Sequence, residues 1–389
     1  MPRLFLDLST TSRTTLKTGI ERVAQAIFKE SARLQLSDYQ VVPVYLDYKD
    51  HVWQYRYAEL YAKQILGGES AAGLGPIVQM HQGDILLVLD YSGEQLIAAT
   101  RASLFKQLQD LGVRTHVLVY DLLPILHASF FPPGAKAHFV DWLQSARTLG
   151  SLITISQAVA LQLTAYLQAP ECQVQWFHLG ANFEDQESAR NLPSYAPDLI
   201  QAIARRPSFL CVGTIEPRKG YEQVLQAFTQ LWEKGFDANL VIVGAEGWIN
   251  LPSERRSLIS KLVSQLRTHP QLGKRFFWFD GINDEFLRSL YRSCICLLAA
   301  SYDEGFGLPL VEAARHGLPI LARDIAVFQE VMGKHAQYFN AGDADQLAQA
   351  ISSWYALYQQ QLHPSVDGFC AYTWRQSTLE LLACIGIVP

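Results

Sequence analysis

Nowhere does this chain hold an apolar run near the roughly 20 residues a membrane span requires; the longest, CICLLAA and ILLVL, are of strand length. Charge of one sign is lacking as well. The net charge is −5, with 14 Lys/Arg against 15 Asp/Glu in residues 1–183 and 18 against 22 in 184–389. No basic half is therefore offered to a nucleic-acid backbone, and no nucleic-acid partner is expected. The six cysteines (172, 211, 294, 296, 370 and 384) include no C-x-x-C and no Cys/His spacing suited to zinc. They read as reduced, mostly buried thiols of a cytosolic protein. The histidines have no partners at ligand spacing, so no metal is expected. Solenoid-period repeats and low-complexity tracts are also missing. The opening MPRLFLDLST lacks the apolar length of a secretory segment and reads as a first strand.

What is there is a soluble globular composition, 49% apolar and 18% charged, in 389 residues, longer than one core normally grows. Two domains are expected. Short β-branched runs alternate with stretches of helical period: LFLDL, GIERVAQAIFKE, VVPVYL, then DILLVLD (84–90), VRTHVLVY (113–120), SLITIS (151–156) and CQVQWF (172–177). Near-continuous apolar strands with helices between them are the mark of buried parallel sheets. The rhythm breaks over 184–206, which reads as a linker. A second βα series follows: SFLCVGT (208–214), ANLVIVG (238–244), RFFWFD, CICLLAA and LPILAR. The fold class is α/β, two facing doubly wound domains. A last helical pattern spans roughly 373–385. The aromatic stretches HVWQYRYAELYAK (51–63) and SFFPPG (129–134) suit a saccharide or lipid surface, or a helix core and a loop anchor.

The stretch SYDEGFGLPLVEAARHGLPI (301–320) sets two acids, Glu304 and Glu312, eight residues apart across an open Gly-Phe-Gly backbone. It follows a strand and enters a helix with Pro309 in its first turn. At a carboxyl strand edge such a loop meets ligands, and the helix start offers free N–H groups to an anion such as a diphosphate. Carboxylates accept hydrogen bonds from the vicinal diols of ribose and hexose alike. Two acids beside a phosphate site could thus hold both sugars of a nucleotide sugar. Plain structural duties also suit them: Glu304 capping a helix start, Glu312 as a solvated first-turn acid.

Two imitations are set aside. GFGLPL (305–310) mimics the dinucleotide fingerprint but has Leu310 where a third glycine belongs. The Asp343-Ala344-Asp345 triplet precedes a helical pattern and reads as its N-cap and first-turn acid.

VGTIEPRKG (212–220) followed by EGFGLPLVEA (304–313) resembles the large family of retaining glycosyltransferases of the GT-B fold that build bacterial polysaccharides, often called family 4. The similarity is strong over 207–340; TGIERVA (18–24), YDLLPILH (120–127) and ITISQA (153–158) carry it in the N-terminal half. It implies an acceptor-side Rossmann-like domain over 1–183, the linker 184–206, a nucleotide-sugar-binding domain over 207–365, and a C-terminal helix in 366–389 crossing back to the first domain. The implied donor is a nucleotide-diphosphate sugar of GDP, UDP or dTDP type, and the acceptor a saccharide or lipid-linked saccharide. No cofactor, metal or protein nucleophile is implied. Localisation would be cytoplasmic, with contact to the inner membrane face left open.

The same resemblance assigns roles. Arg218 and Lys219 contact the donor diphosphate, Glu304 the transferred sugar, and Glu312 the ribose. Gly213 and the backbone Gly305, Phe306, Gly307 and Leu308 line the donor, and Ile282 in FDGIND (279–284) lies beside the base. In the first domain Thr18-Gly19 approaches the diphosphate and Arg22 reaches acceptor or phosphate. Relatives have His-Asp where this chain has Tyr120-Asp121. Asp121 keeps its place, and either Tyr120 or His127 takes over from the histidine. Closure of the two domains on one diphosphate would exclude water. A sugar epimerase, a phosphorylase and a non-catalytic nucleotide-sugar-binding subunit are the competing readings.

Overall fold

The βα alternation folds into two sheets, one wholly and one mostly parallel, with helices between their strands. The computed structural model describes residues 1–14, 19–34, 36–67, 75–168, 174–181, 192–249 and 251–388. Thr18, Cys172 and the start of the expected linker lie outside them. Two units divide the chain: Met1–Gly180 with Tyr372–Pro389, and Ala181–Ala371.

The first unit holds β1 (Arg3–Asp7), β2 (Gln40–Lys49), β3 (Val52–Tyr57), β4 (Ile85–Val88), β5 (Arg114–Val119), β6 (Ser151–Thr154) and β7 (Gln175–Trp176), in the order β3-β2-β1-β4-β5-β6-β7. All pairs are parallel except β2 with β3. That exception corrects the reading of HVWQYRYAELYAK as helix core. Its first half alternates with period two and pairs back on β2 through a turn at Asp50 and His51, whose φ values of 52° and 64° suit the right-handed twist of a tight hairpin. Only Glu59–Leu66 is helical.

The C-terminal helix Trp374–Cys384 starts in a capping box, Thr373 with Gln376, and packs on the helix Gly19–Arg33 of the same unit. Phe5, Phe28, Phe105 and Trp142 are buried in this unit.

The second unit holds β8 (Ser208–Val212), β9 (Asn239–Val243), β10 (Phe276–Phe279), β11 (Cys296–Ala299), β12 (Ile320–Arg323) and β13 (Gln337–Phe339), all parallel, in the order β10-β9-β8-β11-β12-β13. Phe209 meets Phe228 and Trp354 edge-on at 5.6 and 5.5 Å, joining sheet to helices. Burying one such ring is worth roughly 1.5–3 kcal/mol. Within the stretch read as a linker, Ala196–Ala204 is a helix of this unit, packed on the helix Asp284–Ser293. Cys294 and Cys296 are buried, and Asp343 caps the helix Ala344–Gln359 by accepting from Gln346 N at 2.9 Å. No helix among the described residues is long and apolar enough to cross a membrane.

Candidate active site

The second sheet winds outward from β8 through β9 and β10, then returns to the other side of β8 with β11. At such a reversal the neighbouring loops diverge, and the crevice beyond the carboxyl ends is open to a ligand. Both motifs fall there. Gly213 to Lys219 follows β8, and Ala300 to Gly307 follows β11.

Arg218 and Lys219 lie on the single 3-10 turn Pro217–Lys219, just before the helix Tyr221–Glu233. A helix start disfavours cations, so their carboxylate partners must hold them. Arg218 donates to Glu216 Oε2 at 2.8 Å and to Glu304 Oε2 at 2.9 Å, and the Lys219 ammonium donates to Glu304 Oε1. Burial alone would raise the Glu304 carboxyl; the charges of Lys219 and then Arg218 prevail and hold it at about 2. Burial lowers Lys219, opposed by the Glu304 charge and assisted by Arg218.

Gly213 lies beneath this pair. At φ 144° it has a conformation few other residues adopt, and a Cβ there would lie 3.2 Å from Lys219 Cε. Tyr221 donates to its carbonyl at 2.6 Å. A cavity lined by Cys211, Lys219, Tyr221, Ser301, Glu304 and Gly307 opens beside the cluster.

Neither structural duty weighed for the two acids describes them. The residue before the helix Leu308–Arg315 is Gly307, at φ 100°, so Glu304 is not the cap of that helix. Glu312 is not solvated: it is 2% exposed, and its Oε2 accepts from the Tyr291 hydroxyl at 2.9 Å. Gly305 and Phe306 are buried in the loop between. Ile282 stands apart from the cluster, half-buried in the loop after β10, two strands from β8 along the same carboxyl edge.

The first sheet has its own reversal, between β1 and β4. Gly19 opens the helix Gly19–Arg33, where a Cβ would meet nothing within 4 Å among the described residues, and Arg22 follows one turn in, half-buried. Tyr120 is buried, and its hydroxyl donates to Leu89 O at 2.6 Å. Asp121 Oδ1 accepts from Leu123 N at 3.0 Å, and the His127 ring stacks on Phe130 at 6.0 Å.

Sequence reasoning overlooked a pair of buried acids at this edge. Asp7 ends β1 and accepts from Ser9 N (2.9 Å), Ser9 Oγ (2.5 Å) and the Tyr55 hydroxyl (2.7 Å). Asp90, just past β4, accepts with Oδ2 from Thr10 N (2.9 Å) and Thr11 N (2.7 Å), while its buried Oδ1 has no partner among the described residues. Burial, then the charge of Asp7, pushes Asp90 up to about 8. LFLDL and ILLVLD each carry an Asp at the strand's end, a signal that marks both positions.

Residues 200–364 match the family described as Glycosyl transferases group 1. Over 398 residues the chain is 36% identical to the serotype-specific mannosyltransferase WbdA of Escherichia coli, an alignment covering 99% of this chain and 46% of that protein. The chain thus spans about half the length of that relative. It is 27% identical over 189 residues to the O-antigen chain mannosyltransferase RfbU of Salmonella typhimurium, covering 49% of this chain and 48% of that one. The crystal structure of Anabaena Alr3699/HepE in complex with UDP and glucose superposes with a TM-score of 0.65 at 15% identity, covering 99% of this chain and 100% of that one.

Two doubly wound units with this topology define the GT-B fold. Within it, residues 200–364 of the second unit carry the domain described as Glycosyl transferases group 1.

Proposed function

We propose that the chain is a hexosyltransferase, with mannose favoured over rhamnose, that takes its sugar from a nucleotide-diphosphate donor and passes it to a saccharide or lipid-linked saccharide in surface polysaccharide synthesis. Transfer is retaining and metal-independent, and takes place on the cytoplasmic side. The carrying observation is the Arg218–Lys219–Glu304 cluster at the β8/β11 reversal. The names of the two mannosyltransferase relatives support the sugar, and the HepE complex with UDP supports a nucleoside diphosphate.

When the glycosidic bond breaks, negative charge gathers on the β-phosphate as the sugar becomes oxocarbenium-like. A cation about 4 Å from that charge contributes about 4 kcal/mol at an effective dielectric near 20. Arg218 and Lys219 are the cations placed for it, which is the charge work a metal would otherwise do. Both are held by Glu304. Diphosphate binding therefore exchanges one anion for another and releases the Glu304 oxygens to the sugar hydroxyls. The departing phosphate oxygen takes the acceptor's proton on the same face of the sugar.

Thermal shift against GDP, UDP and dTDP identifies the base, since a ligand at 100 times its Kd adds about 2.7 kcal/mol. NMR of the product gives the anomeric configuration, expected to match the donor, and transfer is expected to persist with chelator present. Inverted product, or free epimer from donor alone, would contradict the reading.

A further inference from the structure

Behind the cation pair stands a third. Arg323 is the last residue of β12, 7% exposed. Its Nε donates to Ala300 O at 3.1 Å, and the two terminal nitrogens donate to Ala341 O at 2.7 Å and Gln223 Oε1 at 2.5 Å. The guanidinium lies 4.4 Å from the centre of the Tyr302 ring and 5.2 Å from that of Phe339. These partners are carbonyls, an amide and ring faces. Among the described residues no carboxylate pairs with it.

An unpaired charge is costly to bury, and burial lowers this arginine from its ordinary value. Its hydrogen bonds alone do not call for a charge, since a neutral side chain could also donate to carbonyls. The position points further. β12 lies beside β11, so Arg323 holds the first residue of the loop that leads to Glu304. The Ala300 carbonyl it grips faces Gly220, where a Cβ would approach to 2.5 Å, and Tyr302 N donates to Arg218 O at 2.9 Å. The Glu304 loop and the Arg218–Lys219 turn are thus stitched together directly in front of Arg323. In the cluster itself Arg218 and Lys219 are matched by Glu216 and Glu304. Arg323 is a further cation of this region, bound to no carboxylate among the described residues.

We propose that Arg323 is a positioning residue of the donor site: it fixes the Ala300–Glu304 loop, and its positive charge, which no carboxylate among the described residues pairs with, favours a diphosphate in the crevice. This rests on the donor-site reading above.

The test measures binding of a nucleoside diphosphate and of the monophosphate of the same base, by calorimetry, for wild type, Arg323→Met, Arg323→Gln and Arg323→Lys, with folding checked by circular dichroism. The diphosphate used is the one among GDP, UDP and dTDP that wild type binds; if none binds, the donor-site reading falls and this proposal with it. Expected is a rise in diphosphate Kd of about tenfold in the Met and Gln variants, against threefold or less for the monophosphate, with Lys within threefold of wild type for both. Wild-type diphosphate affinity in the neutral variants, or equal losses for the two nucleotides, would overturn it while leaving the donor site standing. Should neither neutral variant fold, Arg323→Lys decides: a diphosphate loss beyond tenfold contradicts the role of charge.

Discussion

The Tyr291 hydroxyl donates to Glu312 Oε2 at 2.9 Å, across the interface between the helices Asp284–Ser293 and Leu308–Arg315. A carboxylate this buried keeps its orientation only while its donors are in place. Tyr291→Phe is expected to cost about 1–3 kcal/mol in urea unfolding, the penalty of leaving a buried acceptor short of a bond. If Glu312 holds the ribose, the donor KM rises several-fold with kcat little changed. A fall in kcat at constant KM would place Glu312 elsewhere.

Glu304 is the internal anion of the cation pair. Glu304→Gln should lower apo stability by about 1–3 kcal/mol, less than for a fully buried pair because the cluster is partly exposed. The increment in Tm on adding saturating nucleoside diphosphate should then exceed that of wild type, because no carboxylate competes for Arg218 and Lys219. Transfer should fall at the same time. An increment equal to or smaller than that of wild type would count against the exchange.

Asp90 gives stability a pH dependence of definite sign. Its folded value is raised to about 8 from an ordinary carboxyl value near 4. Above pH 4 the unfolded chain has lost this proton while the folded chain keeps it, so the contribution is fully present below about 4 and is lost as pH rises towards 8. Asp7 is raised as well, by burial, and adds in the same direction. Asp90→Asn keeps an acceptor for Thr10 N and Thr11 N. It should flatten the slope of stability between pH 5 and 8 and gain on the order of a few kcal/mol at pH 8. Denaturant unfolding at several pH values measures it; an unchanged slope would show the slope to arise elsewhere.

The fold was legible because buried parallel strands leave apolar runs that no other element needs: VVPVYL, SLITIS and LPILAR all proved to be strands at their places in the order. β3 was not, because its aromatics alternate too briefly to outweigh the helical stretch that follows, and because Asp50-His51 is an unusual pair for a left-handed turn. In the second unit the motif residues Arg218, Lys219, Gly213 and Glu304 do meet at one crevice. Sequence spacing could not tell that Glu304 spends both oxygens on cations, since such pairing is decided by side chains 85 and 86 positions apart. Arg323 escaped notice for a related reason. As the end of a strand it looks like an ordinary edge charge until it is seen that, among the described residues, no carboxylate pairs with it.

The most direct test of the account is the transfer rate of Lys219→Ala with the donor that wild type uses. Losing a cation that meets the leaving diphosphate should remove on the order of 2–4 kcal/mol of transition-state stabilisation, a fall in kcat/KM of roughly 30- to 1000-fold, with the fold intact by circular dichroism. A folded Lys219→Ala protein that transfers sugar at the wild-type rate would contradict it.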